Sequence, residues 1–180
     1  MSEEITLVDI NDHITGYGTK AAVHEKGILH RAFSVFIVNG DKMLLQKRNP
    51  NKYHSGGLWS NACCSHQRKG EVLSEAVHRR MEEELGFDCE LSEKFRFIYR
   101  TRFDNGLTEY ELDHVFTGAY EGNVRFDPQE IAEVRWIAFD ALKREMLDRP
   151  EDFSSWFIIS APRVMEMLEE EMHEEADQLP

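Results

Sequence analysis

Apolar and polar positions alternate in several stretches of the chain and repeat with helical spacing in others. "EITLVDI" alternates as a strand does, and "AFSVFIV" followed by "KMLLQKR" reads as a hairpin closed by Asn39-Gly40-Asp41, a turn chemistry that suits tight reversal. "KFRFIYRTRF" and "LTEYELDHVFTGAY" form a second pair of strands around Asp104-Asn105-Gly106, and "EVRWIAF" predicts one more. "TKAAVHEKG" reads as a short helix stopped by Gly27. In "VLSEAVHRRMEEELG" the apolar positions Val72, Leu73, Ala76, Val77, Met81 and Leu85 make one stripe, with Gly86 at the C-terminal end. Asp140 is expected to cap a helix through about Leu147, and "SSWFIISAPRVMEMLEEEM" predicts the last helix. Residues 49–70, rich in Asn, Gly, Ser and His, are expected to form one long loop, and loops of that length usually carry function. Hairpins interleaved with helices predict an α/β sandwich with a mixed β-sheet, as one domain over residues 1–180.

Charge and composition narrow the chemistry. The 180 residues are 41% apolar, enough for a single core. No apolar run approaches the ~20 residues that span a bilayer, and the start lacks a signal-like basic and apolar pair of regions. Three cysteines, at 63, 64 and 89, do not make a disulfide framework and fit a reducing cytoplasm. The net charge of -13 disfavours a general nucleic-acid binder. Much of the acid lies in "MLEEEMHEEADQ", read as a solvated helix face, whereas Lys42 to Arg80 is locally basic. A basic stretch inside an acidic protein points to a small anionic ligand.

Four groups of residues have chemistry to offer. Glu109 and Glu111 in "TEYELDH" are two apart on a strand and share one side, away from Tyr110 and Leu112. On a solvated face they are ordinary charges; on an inner face they need a compensating cation. His24, His30 and His66 are each unremarkable alone, but with the two carboxylates they make a three-nitrogen, two-oxygen set of the kind that suits Zn²⁺ or Mn²⁺. On the "RRMEEELG" helix, Arg80 and Glu84 are four residues apart and in reach of each other, and that carboxylate suits a Mg²⁺ held against phosphate. Cys64 sits near His66, Arg68, Lys69 and Asn61, surroundings in which a thiol is either reactive or a small buried apolar group.

Taken in order, "TKAAVH…LHRAFSVF", "LLQKRNPNKYHSGGLWSNACCSH", "AVHRRMEEELG", "YRTRFDNGLTEYELDHVF" and "FSSWF" resemble the type I isopentenyl diphosphate isomerases, which are divergent members of the Nudix fold. The resemblance runs from about Lys20 to Trp156. It implies a Nudix-like α/β/α sandwich and interconversion of isopentenyl and dimethylallyl diphosphate by a 1,3-proton shift. It also implies Cys64 on one face of the alkene and Glu111, assisted by Tyr99, on the other. The implied metal ligands are His24, His30, His66, Glu109 and Glu111, binding Mn²⁺, Zn²⁺ or Mg²⁺, and Glu84 contacts a Mg²⁺ that arrives with the diphosphate. Lys20, Arg48, Lys52 and Arg80 match diphosphate-binding positions, and Trp156 matches an aromatic residue beside the developing cation. His54 and His114 are expected to be bystanders. The implied partner is a prenyl diphosphate, with no nucleic acid, no membrane and a monomer or weak dimer.

The Nudix hydrolase box, G-x5-E-x7-R-E-U-x-E-E-x-G-U, is read as incomplete. Gly70 is present, Ala76 stands at the first glutamate, and Arg79-Arg80 replaces Arg-Glu. The loss of two metal-binding carboxylates disfavours the alternative reading, a pyrophosphohydrolase of nucleotide or prenyl diphosphates. A binding module without catalysis is the third reading, and the complete Cys64, Glu111 and Tyr99 set argues against it.

Overall fold

The computed structural model describes residues 3–177. Its elements are β1 (Glu4–Val8), β2 (Ile14–Thr19), α1 (Lys20–Lys26), β3 (His30–Asn39), β4 (Lys42–Arg48), β5 (Trp59–Ser60), β6 (Cys63–His66), α2 (Leu73–Leu85), β7 (Ser92–Arg102), β8 (Thr108–Ala119), β9 (Ile131–Ala138), α3 (Phe139–Asp148) and α4 (Ser155–Asp177). Among the described residues all nine strands belong to one mixed sheet, which agrees with the expected α/β class. β3 and β8 run parallel and the other pairings are antiparallel.

β3 organises the molecule. Its run Phe33–Ile37 is buried throughout because both faces of the sheet are covered there. Phe33, Val35 and Ile37 point to one side and pack with Leu44 against Met81 and Leu85 of α2. Phe36, on the other side, packs with Met43 and Leu45 against Phe157 and Val164 of α4. Burying a side chain of this size contributes roughly 2 kcal/mol, so the two layers hold β3 from opposite directions.

The expected hairpin exists, but only beside its turn. Ile37, Val38 and Asn39 pair with Leu44, Met43 and Lys42. Further back the strands separate: β3 pairs β6 and β8, while β4 pairs β5 and β9. The long loop expected over residues 49–70 is thus interrupted by two short strands. β6 completes a ladder with β3 from Ala32↔His66 to Val35↔Cys63, a long-range pairing that a short polar segment does not advertise. β2, which carries two glycines and an exposed Ile14, also went unforeseen, and it forms as the edge partner of β1. Asp140 lies in the first turn of α3 and does not cap it; Ala138 holds the cap position.

Two glycines place the site. Gly27 ends α1 at φ 62°, and a side chain there would press on Thr108 at 3.2 Å, next to Glu109. This reversal brings His24 of α1 and His30 of β3 onto one region. Gly86 ends α2 at φ 69°, where a Cβ would meet the Arg125 carbonyl at 2.6 Å.

Candidate active site

Five donor atoms, one each from His24, His30, His66, Glu109 and Glu111, lie within 4.8 Å of one another, and all five residues are buried. They come from α1, β3, β6 and β8. Register explains the meeting: β3 pairs His30 with Glu111 on one side, and pairs Ala32 with His66 on the other. The residues expected as metal ligands are therefore brought together.

The donor chemistry fits a divalent cation. His24 donates its Nδ1–H to the Lys20 carbonyl at 2.6 Å, and His30 donates its Nδ1–H to the Ile28 carbonyl at 2.8 Å. A carbonyl can only accept, so in the neutral form of each ring, the form that can bind a cation, Nε2 keeps its lone pair. Both Nε2 atoms and Glu109 Oε2 are buried without a hydrogen-bond partner. Such atoms are costly unless something else meets them, and a cation at the centre would. His24 Nε2 is 3.1 Å from Glu109 Oε1, and His66 Nε2 is 2.8 Å from Glu111 Oε1. Burial penalises a charged imidazole at His30, but Glu109 and Glu111 outweigh it and raise its pKa to about 10. At His66 burial prevails and lowers the pKa to about 3. Burial also opposes ionisation of Glu109, yet His24, His30 and His54 hold it well below the usual carboxylate range.

A cavity adjoins this cluster. Cys64, Tyr99, Glu111 and Trp156 line it together with Lys20, Arg48, Lys52, Arg80 and Glu84. Tyr99 sits opposite Glu111 in the β7–β8 ladder and donates its hydroxyl to Oε2 at 2.5 Å. Burial and the neighbouring carboxylates push this phenol well above its ordinary pKa, so it stays a donor. Burial also pushes the Cys64 thiol up to about 12, against the opposing pull of Arg48. At neutral pH the thiol carries its proton.

The cation beside Cys64 is Arg48, whose Nη1 lies 3.7 Å from Sγ and whose guanidinium stands 5.1 Å over the Trp156 ring. The sequence neighbours Arg68 and Lys69 instead reach Glu3 and Glu4. Asn61 is not a partner of the thiol either. It donates to the Val35 carbonyl at 3.1 Å and the Cys63 carbonyl at 2.6 Å, and accepts the Trp156 indole N–H at 3.1 Å. Asn61 therefore holds the bend before β6 and orients Trp156. Cys63 points to the other face and is fully buried in the layer under α2.

Two cations of the cavity stand in charge pairs. Arg80 meets Glu84 as the helical spacing anticipated, and Lys52 meets Glu130. Glu130 also lies 3.7 Å from Arg80. Burial raises the pKa of Glu84 against the pull of Arg80, and burial together with Lys52 lowers that of Lys20.

Helix α2 corrects the reading of the box. Counting back from Gly86 puts Glu71 at the first glutamate and Ser65 at the first glycine. Glu71 binds Arg79 through both carboxylate oxygens, at 2.6 and 3.1 Å. Gly70 and Ala76 are therefore not the box positions, and one carboxylate is replaced rather than two. Arg80 stands at that position, so a cation occupies the place of a metal-binding anion, which still disfavours hydrolysis.

His54 is the second correction. It is buried, and its Nε2 meets Glu109 Oε1, so it belongs to the site. His114 stays apart as expected, between Asp12 at 3.0 Å and Glu93 at 2.7 Å. Sequence reasoning also missed Glu130, which carries no motif, and Tyr53, whose ring lies under Lys20 Nζ at 4.8 Å. Nothing in local spacing marks any of the three.

Among the described residues no helix is long and apolar enough to cross a membrane.

Residues 28–157 match the NUDIX domain family model. The chain is 47% identical over 158 residues to an isopentenyl-diphosphate Delta-isomerase of Burkholderia multivorans, covering 87% of this chain and 90% of that protein. It is 43% identical over 166 residues to isopentenyl-diphosphate Delta-isomerase 2 of Aromatoleum aromaticum, covering 92% and 88%. A solved structure of a Deinococcus radiodurans protein superposes with a TM-score of 0.67 at 19% identity, covering 81% of this chain and 90% of that one. A MutT protein of Methanosarcina mazei superposes at 0.61 with 18% identity, covering 79% and 94%. At those identities the two structures speak to the fold alone.

Proposed function

The chain belongs to the isopentenyl-diphosphate Delta-isomerases, built on a Nudix domain, and we propose that it moves the double bond of isopentenyl diphosphate with Cys64 and Glu111 as its two proton-transfer groups. The observation that carries this reading is the placement of both groups on one cavity: a thiol that keeps its proton, and a carboxyl bonded to Tyr99.

The substrate alkene is a weak base, so the reaction needs a proton donor on one side and an acceptor on the other, in a site that excludes water. One group protonates the terminal carbon, charge develops at the tertiary carbon, and the other group removes a proton from the allylic carbon. The reaction is reversible, so each group holds the proton in one direction. Tyr99 donates to Glu111 and keeps one carboxyl oxygen oriented during the transfer. The Trp156 face stabilises the developing positive charge without a nucleophile that would trap it. Its ring is kept in place by Asn61.

His24, His30, His66, Glu109 and Glu111 would hold one divalent ion, Mn²⁺, Zn²⁺ or Mg²⁺. When bound, this ion makes the Glu111 carboxyl more acidic and so a better donor to an alkene. Lys20, Arg48, Lys52 and Arg80, which line the cavity, would bind the diphosphate, and Glu84 would hold a Mg²⁺ that accompanies it. The whole chain acts as one domain, in the cytoplasm, on a small prenyl diphosphate.

Incubating the purified protein with isopentenyl diphosphate and Mg²⁺ should give dimethylallyl diphosphate, with deuterium from D₂O appearing at the allylic positions. Release of inorganic phosphate or pyrophosphate without the isomer would overturn the reading.

A further inference from the structure

Lys20, Arg48, Lys52 and Arg80 all line the active cavity, but they are held in different ways. Lys52 pairs with Glu130, and Arg80 pairs with Glu84. Arg48 donates to the His54 carbonyl at 3.4 Å and stands 5.1 Å over the Trp156 ring. Lys20 differs: among the described residues no carboxylate lies within ion-pair distance of its ammonium. Its partner is the Tyr53 ring, whose centroid lies 4.8 Å from Nζ. The negative face of an aromatic ring attracts an ammonium, and more strongly where water is excluded.

Lys20 and Tyr53 also border a second cavity. That space is lined further by Ala21, His24, Glu25, Asn105 and Leu107. Of its lining residues, Lys20 and Tyr53 alone line the active cavity as well, so together they form the wall between the two. Lysine carries its charge on a flexible four-carbon stem, so both spaces are open to this amine. The ring, by contrast, is fixed. The Tyr53 carbonyl accepts the Asn105 side-chain N–H at 2.8 Å. The phenol ring meets His54 edge-on with centroids 4.3 Å apart, and His24 edge-on at 5.6 Å.

We propose that Tyr53 is a positioning residue for diphosphate binding: the face of its ring holds the Lys20 ammonium at the wall of the active cavity, where an anionic substrate meets it. This rests on the assignment of Lys20 to the diphosphate above.

A double-mutant cycle tests the contact. Tyr53→Leu removes the π face and keeps apolar bulk, whereas Tyr53→Phe keeps the face and removes only the hydroxyl. Tyr53 is 39% exposed, so neither change empties the core. Each is made in the wild type and in a Lys20→Met background. KM and kcat are measured on isopentenyl diphosphate, and Kd is measured for inorganic pyrophosphate by calorimetry. Tyr53→Leu should raise KM and Kd about three- to tenfold at unchanged kcat, and Tyr53→Phe should stay within about twofold of wild type. Adding Tyr53→Leu to Lys20→Met should raise neither further. The same rise in both backgrounds, a Tyr53→Phe defect as large as that of Tyr53→Leu, wild-type affinity in Tyr53→Leu, or a loss of kcat alone overturns the proposal. A general loosening of the segment acts in both backgrounds alike, so it does not mimic the coupling. A wild-type protein that makes no dimethylallyl diphosphate sinks the proposed function instead, and the pyrophosphate cycle still tests Tyr53.

Discussion

Tyr99 and Glu111 face each other across the β7–β8 ladder, and the phenol donates to Glu111 Oε2 at 2.5 Å in a buried setting. A hydrogen bond to a charged group contributes about 1.5–3 kcal/mol. Tyr99→Phe removes only the hydroxyl and should lower kcat about 10- to 100-fold with little change in KM. Steady-state kinetics on isopentenyl diphosphate check this; a raised KM at unchanged kcat would assign Tyr99 to substrate binding instead.

Cys63 and Cys64 differ in face, and two substitutions should separate them. Cys64→Ala should abolish deuterium exchange from D₂O into the allylic positions. Cys63→Ala should keep turnover but lower stability by about 1 kcal/mol, since this thiol is fully buried beneath α2. Exchange monitored by NMR, with a urea melt of each variant, gives both answers. The reverse pattern would place the proton-transfer sulfur on the wrong residue. The Cys64 thiol, pushed up to about 12, should also alkylate slowly at pH 8 and faster as the pH rises.

Lys20 is a depressed amine, lowered first by burial and then by the like charge of Lys52. The ammonium is lost as pH rises, starting below the ordinary value of 10.5. Diphosphate affinity should therefore weaken on the alkaline side earlier than an exposed lysine would allow. A KM–pH profile should show this limb in the wild type and lose it in Lys20→Met; an identical alkaline limb in both would assign the effect to another group.

Arg80 is the partner of the buried Glu84 and one of the cations of the cavity. Arg80→Met should cost about 2–3 kcal/mol in a denaturant melt, because the Glu84 carboxylate is left unpaired in a buried place. It should also raise KM for the diphosphate at least about tenfold. Restoring the hydrolase carboxylate with Arg80→Glu should lower isomerisation through the same loss of anion binding. Wild-type KM in both variants would remove Arg80 from the diphosphate site.

Much of the site was legible along the chain wherever one backbone period decides it. Glu109 and Glu111 share a side because a strand repeats every two residues, and Cys63 and Cys64 part for the same reason. Arg80 and Glu84 meet because they stand four apart on α2. The two short strands in residues 49–70 were not legible, because β6 forms only when β3 is there to pair with it. His54 looked like a bystander because it is far in sequence from Glu109, and only the folded segment brings them into contact. The box register was legible too, because counting back from Gly86 puts Glu71 at the first glutamate, and the Glu71–Arg79 contact agrees with it.

The mixed α/β class and the side shared by residues two apart on the foreseen strands follow from the sequence by itself, since periodicity is a local property of the backbone, and the family follows from the resemblance of its motifs. Convergence is not local. α1, β3, β6 and β8 deliver His24, His30, His66, Glu109 and Glu111 to one point only because β3 pairs with both β6 and β8, while Gly27 folds α1 back beside it. The same tertiary packing, not proximity along the chain, put Arg48 beside Cys64 and His54 against Glu109, because charged and polar groups removed from water take whichever partner the fold presents.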